Sequence, residues 1–355
     1  MRAALIGPPY SGKSTLFAAV AEAGGSHVHL ERPDTEHLAV VKVPDERLEW
    51  LGELYGPEKL THAELEVLDV PGLDLTDQAS RQRARGHWPA VRQSDMIVIV
   101  LRDFHDDAVP PYRGRVEAAG DLEEFRSELL FSDLEQVAAR IEKLNAALRR
   151  RGPEHDQDAR ELQLMERMQK TLEEEKPLSE AVANEAEEKM VRAFAFLTLK
   201  PALVVLNCDE DAGGGGGEGF GGYPAIRLSA KIEEEIAALE ASERGEFMEA
   251  MGISTPAGER LIRACYEAMN LVSFFTVVGK EVRAWSVPAG TSALGAAGEV
   301  HTDMARGFIR AEVIAFDDLR AAGDEKRARA AGNYRLEGKQ YVVQDGDAIV
   351  FRFSV

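Results

Sequence analysis

The sequence predicts an α/β fold with an inserted antiparallel helical hairpin and a separate, small β-rich C-terminal domain. Three observations carry this reading. Six short apolar segments, AALIG, LAVVKV, LEVLDV, MIVIVL, ALVVLN and AIRLSA, read as strands, with helix-like stretches between most of them. A heptad seam of Leu130, Leu134, Val137, Ile141, Leu144 and Leu148, in steps of 4, 3, 4, 3 and 4, interrupts that alternation. After Leu271 valine, phenylalanine and short turns dominate, ending in YVVQDGDAIVFRFSV.

The seam stops at RRRGPEHDQD, a polar turn with Gly152 and Pro153. A second helix follows, with Leu162, Met165 and Leu172 along one face. Two helices joined by a tight turn between two sheet strands make a projecting hairpin. The alternative is a pair of ordinary covering helices, and the regular heptad favours the hairpin. The expected division is residues 1–127 and 191–270 for the α/β domain, 128–190 for the insertion and 271–355 for the C-terminal domain. DAGGGGGEGFGGYP, directly after the strand LVVLN and its loop, reads as a lengthened flexible connection.

A chain of 355 residues with 45% hydrophobic content implies two or three packed domains. Cys208 and Cys265 are the only cysteines, which excludes a disulfide framework and fits a reducing, cytoplasmic setting. The start, MRAALIGPPYSGKST, runs straight into a nucleotide motif, so no signal peptide is expected. MIVIVL is too short to span a bilayer, and no membrane partner is expected. A formal charge of -20 argues against a broad basic grip on nucleic acid and against sequence-specific DNA binding. From Leu271 onward eleven basic residues balance eleven acidic ones, so the acidic excess lies in the rest of the chain. A neutral C-terminal module could meet RNA or protein; equally, the excess is a solvated surface. A monomer is expected.

GPPYSGKST matches G-x-x-x-x-G-K-[ST] through Gly7, Gly12, Lys13 and Ser14, between the strand AALI and the helical stretch TLFAAVAEA. The glycines let backbone N–H groups close around phosphates, with Tyr10, Ser11 and Thr15 completing the set, and the helix N-terminus adds a favourable dipole. Lys13 would neutralise the β and γ phosphates, and the Ser14 hydroxyl would ligate Mg²⁺. LEVLDVPG adds Asp69 at a strand end, placed to hold the Mg²⁺ shell through water, and Gly72, whose N–H would sense the γ-phosphate. Alone, D-x-x-G is a weak signal that a plain strand-end turn also satisfies. Asn207-Cys208-Asp209-Glu210 stands where such domains read a base, close to Asn-Lys-x-Asp but not equal to it. Ser229-Ala230-Lys231 resembles the last base-contacting loop of that class, and Ser229 also reads as a helix N-cap.

In this order, with the insertion and terminal module, the chain resembles the YchF/Obg-like ATPase family of the translation-factor GTPase class. The carrying residues are GKSTLF, VPDERLEWLGELYGPEKL, RSELLFSDLEQVAARIEKL, LEEEKPLSE and nearly all of the region from FFTVVGKEVRAWSVPAG to the end. The last resembles a TGS domain, a β-grasp, ubiquitin-like fold. The resemblance implies a P-loop, G-domain-like sheet, Mg²⁺ and ATP (with GTP as the alternative ligand), slow hydrolysis driving a switch, and association with the ribosome in translation or stress response. RRR at 149–151 would offer rRNA a basic contact at the hairpin tip, or be a solvated turn. In the family Asn-x-x-Glu replaces Asn-Lys-x-Asp, and Asn207 and Glu210 reproduce that change. Guanine offers N1–H and N2–H₂ donors to a well-placed Asp; a Glu is one methylene longer and off that geometry. Adenine's N6 amino group needs an acceptor instead, such as a backbone carbonyl near Cys208, which stands where GTPases stack a Lys.

The switches depart from the family. Where it carries a Mg²⁺-completing Thr this chain has Pro33, with Thr35 nearby but out of register. The stretch LDLTDQASRQRARGHWPAVRQSD has Gly86 alone and a cluster of Arg81, Arg83 and Arg85 in place of a glycine-rich loop. Leu73 follows Gly72, where Ras-like enzymes place a water-orienting Gln; the family also carries an apolar residue there, so Leu73 alone is not a defect. His87 is the candidate to orient water, or a surface residue of a polar loop. These changes leave a second reading open: a nucleotide-binding adaptor with little or no turnover.

Overall fold

The chain, here a computed structural model, is described over residues 1–26, 28, 34–150, 155–210 and 219–354. Its elements begin β1 Arg2–Ile6, α1 Lys13–Ala23, β2 His37–Lys42, α2 Glu46–Tyr55, β3 Lys59–Thr61, β4 Glu64–Asp69, α3 Gln78–Arg85, α4 Trp88–Arg92 and β5 Met96–Asp103. Next come α5 Ala118–Leu148, α6 His155–Glu173, α7 Glu185–Val191, β6 Ala202–Cys208, β7 Ala225–Leu228, α8 Ala230–Ala238, α9 Ala241–Ala250 and α10 Ala257–Ala268. The remainder holds β8 Leu271–Val278, β9 Glu281–Pro288, α11 Ala293–Val300, α12 Thr302–Arg306, β10 Phe308–Ala315, α13 Phe316–Ala322, α14 Glu325–Ala330, β11 Arg335–Glu337 and β12 Asp347–Phe353. Two units result: Met1–Ala19 with Val28–Ala39 and Val67–Ala257, and Val20–His27 with Val40–Glu66 and Gly258–Val355.

The six apolar runs are the strands of one sheet, in the order β2-β4-β1-β5-β6-β7. β1, β5, β6 and β7 pair in parallel, as strands linked through helices must. β5 is buried from Met96 to Arg102, so it reads as an unbroken apolar run rather than an alternation. Ala4, Ile6, Ile97, Ile99, Leu101, Val204 and Leu206, two apart on their strands, face one core with Ala84, Trp88, Val91, Leu122, Phe125 and Leu129.

The heptad seam forms as expected from Leu130 to Leu144, and Leu148 lies outside the packed cluster. Leu130, Val137 and Leu144 of α5 are buried against Leu164, Met165, Met168 and Leu172 of α6, with Leu134, Ile141 and Leu162 half-buried beside them. α5 is longer than the seam. It starts at Ala118, and its first turns pack on the sheet before the helix enters the hairpin. Arg149 and Arg150 follow α5 and are exposed, while Arg151 lies outside the described residues. So do Pro33 and most of the glycine run, 211–218.

In the second unit the strand order is β11-β10-β12-β8-β9-β3. β8 and β9 form an antiparallel hairpin, β12 returns parallel to β8, and β10 runs antiparallel to β12 and β11. With α11 between β9 and β10, this is β-grasp topology. Ala293, Ala296 and Ala297 of α11 are fully buried against Phe274, Val287, Val313 and Ile349. β3, three residues long, adds itself in parallel outside β9. Among the described residues no helix is long and apolar enough to cross a membrane.

Candidate functional site

The turn from β1 into α1 holds the G-x-x-x-x-G-K-S segment. Tyr10 (φ 63°) and Gly12 (φ 80°) take left-handed backbone, and a side chain at Gly12 would overlap the Asn207 amide. A side chain at Gly7 would overlap the Val100 carbonyl. The loop therefore needs its glycines for close approach to β5 and β6.

Lys13 is 4% exposed, and its ammonium pairs with the Asp69 carboxylate. Burial pulls the Lys13 pKa down, and the charge and hydrogen bond of Asp69 oppose that pull. Ser14 donates to the other Asp69 oxygen at 2.8 Å. A hydroxyl and a carboxylate thus stand side by side at the end of β4. Ser11 Oγ is buried without a hydrogen-bond partner among the described residues. Thr15 follows, half-buried in the first turn of α1.

Behind Asp69, a Cβ on Gly72 would press to 3.0 Å on Pro9, and the Leu73 N–H donates to the Gly7 carbonyl at 2.9 Å. Leu73 is buried in the core. The stretch after it is not the polar loop its composition suggested. Asp77 caps α3 by accepting from the Ser80 N–H at 2.9 Å, and Ala84, Trp88 and Val91 supply the buried face of α3 and α4. His87 sits between the two helices, its Nδ1 2.9 Å from Glu36 Oε1.

Asn207 is 4% exposed. Its Nδ2 donates to the Ser11 carbonyl at 2.9 Å, and its Oδ1 accepts from the Ala230 N–H at 2.9 Å. One side chain therefore fastens the phosphate loop to the Ser229–Lys231 turn. Ser229 caps α8, accepting from the Ile232 N–H at 3.4 Å. Lys231 Nζ meets Glu210 at 2.6 Å, both exposed. Cys208 is buried, and burial pushes its thiol pKa up. The fold brings Gly7–Thr15, Asp69–Gly72, Asn207–Glu210 and Ser229–Lys231 to the strand ends of one sheet.

Sequence reasoning missed Arg102. Its guanidinium, 3% exposed, donates to the carbonyls of Phe104, Asp106, Val109 and Pro110 and orders the loop beside Gly12. An arginine closing an apolar strand was the available signal.

Residues 2–136 match the family described as 50S ribosome-binding GTPase. Residues 271–354 match the C-terminal domain of the YchF GTPases, described as a protein of unknown function. The chain is 38% identical to the ribosome-binding ATPase YchF of Bacillus subtilis over 370 aligned residues, covering 100% of both chains. It is 33% identical to Obg-like ATPase 1 of Oryza sativa, covering 100% of this chain and 92% of that one. The YchF GTPase structure of Schizosaccharomyces pombe superposes with a TM-score of 0.80 at 28% identity, over 99% of this chain and 97% of that one. With a P-loop sheet, a helical hairpin and a β-grasp domain in one chain, and full-length identity at this level, the chain belongs to the YchF/Obg-like ATPase family.

Proposed function

We propose that this protein is an ATP-preferring, Mg²⁺-dependent P-loop switch that hydrolyses ATP slowly and acts at the ribosome. The observation that carries the reading is the joined cluster of Lys13, Ser14, Asp69 and Asn207 around a loop that tolerates no side chain at Gly7 or Gly12.

The residues present fit a magnesium nucleotide. Among the described residues no group of three or more His, Cys, Asp or Glu converges on a metal position. Mg²⁺ characteristically takes one or two protein oxygens and fills its shell with phosphate and water, and Ser14 and Asp69 offer such a set. When bound, the ion would neutralise charge developing on the transferred phosphate. Lys13, desolvated beside Asp69, supplies the fixed cation for phosphate oxygens. Gly72 packs against Pro9 and is followed by the Leu73–Gly7 hydrogen bond, contacts that support a role for its N–H in sensing a terminal phosphate.

One feature favours adenine. Glu210 is paired with Lys231, which competes for the carboxylate that both guanine donors would need. Asn207 Nδ2 keeps a second hydrogen beyond the one given to Ser11, a donor that suits a ring nitrogen of either purine. Ala230, Ser229 and Cys208, brought beside Asn207, would line the rest of a base site. The ribosome enters through the relatives, whose names describe ribosome-binding ATPases, and a ribosomal partner would place the protein in the cytoplasm. The exposed Arg149 and Arg150 at the hairpin end suit contact with rRNA phosphates.

The adaptor reading has its own support: His87, the candidate to orient water, is engaged by Glu36. Single-turnover hydrolysis of Mg²⁺–ATP separates the two. The switch reading expects slow turnover above the background of Lys13→Ala; equal rates leave the adaptor.

A further inference from the structure

The arginines that replace a glycine-rich switch are not loose surface charges. Arg81 and Arg85 lie four apart on α3 and meet Glu124 (3.3 Å) and Glu128 (2.7 Å), four apart on α5. Both pairs are 43 residues apart in sequence, so the two helices lie in one parallel register. Arg85 also stacks 4.9 Å from the Phe131 ring centroid and reaches Glu135 at 3.4 Å. Glu124, Glu128, Phe131 and Glu135 follow steps of 4, 3 and 4, one stripe along α5.

The stripe connects directly to the segment behind Gly72. The Leu75 carbonyl accepts from Arg81 Nε at 2.9 Å and from Arg113 Nη2 at 3.0 Å, and the Leu75 N–H donates to Tyr112 Oη at 3.0 Å. Arg81, Arg113 and Tyr112 all converge on Glu124. Farther along, Glu128 is 4% exposed. A buried carboxylate cannot be left unpaired cheaply, so α3 cannot shift away from α5 without drawing α5 with it or stranding Glu128.

α5 then carries that shift outward. Leu129 belongs to the sheet core and Leu130 to the hairpin core, so one turn of helix is built into both. From Glu128 to Leu148 there is neither glycine nor proline, a rigid arm of about 30 Å at 1.5 Å per residue.

We propose that Arg81 and Arg85, through Glu124 and Glu128, are positioning residues that couple the phosphate-sensing segment 72–75 to the helical hairpin. The state of the nucleotide sets the position of α3, and α5 reports it at the hairpin tip; a partner gripping the hairpin acts back along the same route. This rests on the nucleotide reading above and adds the path of its regulation.

Hydrogen exchange of the full-length protein, with Mg²⁺–ADP and then with Mg²⁺–ATPγS, tests it. In the wild type, exchange in the hairpin helices should differ between the two nucleotides by about fivefold or more, the lower range of site-to-site coupling. Arg85→Ala should abolish that difference while both nucleotides still bind. Glu128→Gln, which keeps a hydrogen bond to Arg85 and a buried, uncharged side chain, should reduce it and guards against a folding defect. The swap Arg85→Glu with Glu128→Arg should restore part of it. Bound nucleotides with identical hairpin exchange, or a difference that survives Arg85→Ala, overturn the coupling. Failure of the wild type to bind either nucleotide overturns the nucleotide reading itself, and the coupling with it.

Discussion

A methyl group on Gly12 would collide with the Asn207 amide while forcing alanine into left-handed backbone, which costs about 1–2 kcal/mol before the clash. Asn207→Ala would instead strand the Ser11 carbonyl and the Ala230 N–H, at about 1–3 kcal/mol. Each substitution alone should lower the melting temperature and weaken nucleotide binding more than tenfold. The pair should not add, because Asn207→Ala removes the atom that a Gly12 methyl would strike. Thermal melts and nucleotide titrations of the two single variants and the double variant check this; full additivity would mean the joint is not as described. At this scale the sequence was readable as residue types but not as contacts. Asn207 stood out as a base reader, yet its visible partners, Ser11 and Ala230, are set by the fold, one of them 196 residues away. The ion pair of Glu210 with Lys231 likewise joins two segments that no local pattern connects.

Among the elements, the hairpin owes its shape to a narrow seam. Leu144 is 1% exposed against α6, and Leu144→Ala should cost about 2–5 kcal/mol. Amide protection should fall in α5 beyond Leu134 and in α6, with the sheet strands unaffected. The β-grasp sheet offers a pH test. Glu312 accepts from Arg352 (2.9 and 2.8 Å) and from the Tyr334 hydroxyl, and the Arg352 hydrogen bonds above all hold its pKa at about 2 instead of 4.5. A carboxylate depressed in the folded state contributes stability in full above its unfolded value and loses it as pH falls through the folded one. Glu312→Gln should therefore lower the melting temperature at neutral pH and flatten its decline between pH 4.5 and about 2. Acid-series melts of both proteins read this directly. Strand and seam elements were legible because central parallel strands and heptads leave long apolar signatures. β3 was not: KLT is one exposed and two half-buried residues that become a strand only by pairing with β9, more than 200 residues away. α3 and α4 were hidden by their arginines, whose partners on α5 no local pattern reveals.

For the whole molecule, the architecture was written plainly in sequence: a phosphate loop, an inserted hairpin and a β-rich end. The division into two units was less so, because residues 20–27 and 40–66 join the C-terminal unit through contacts distant in sequence. What the molecule does with a nucleotide rests on the stitched loops at the strand ends. The most direct test is competition of unlabelled ATP and GTP against a fluorescent ATP analogue with Mg²⁺ present, with Lys13→Ala as the control. The account predicts displacement by ATP at concentrations at least about tenfold below those GTP requires, a difference of about 1.4 kcal/mol, with binding lost in Lys13→Ala. Equal or tighter binding of GTP, or undiminished binding by Lys13→Ala, would contradict it.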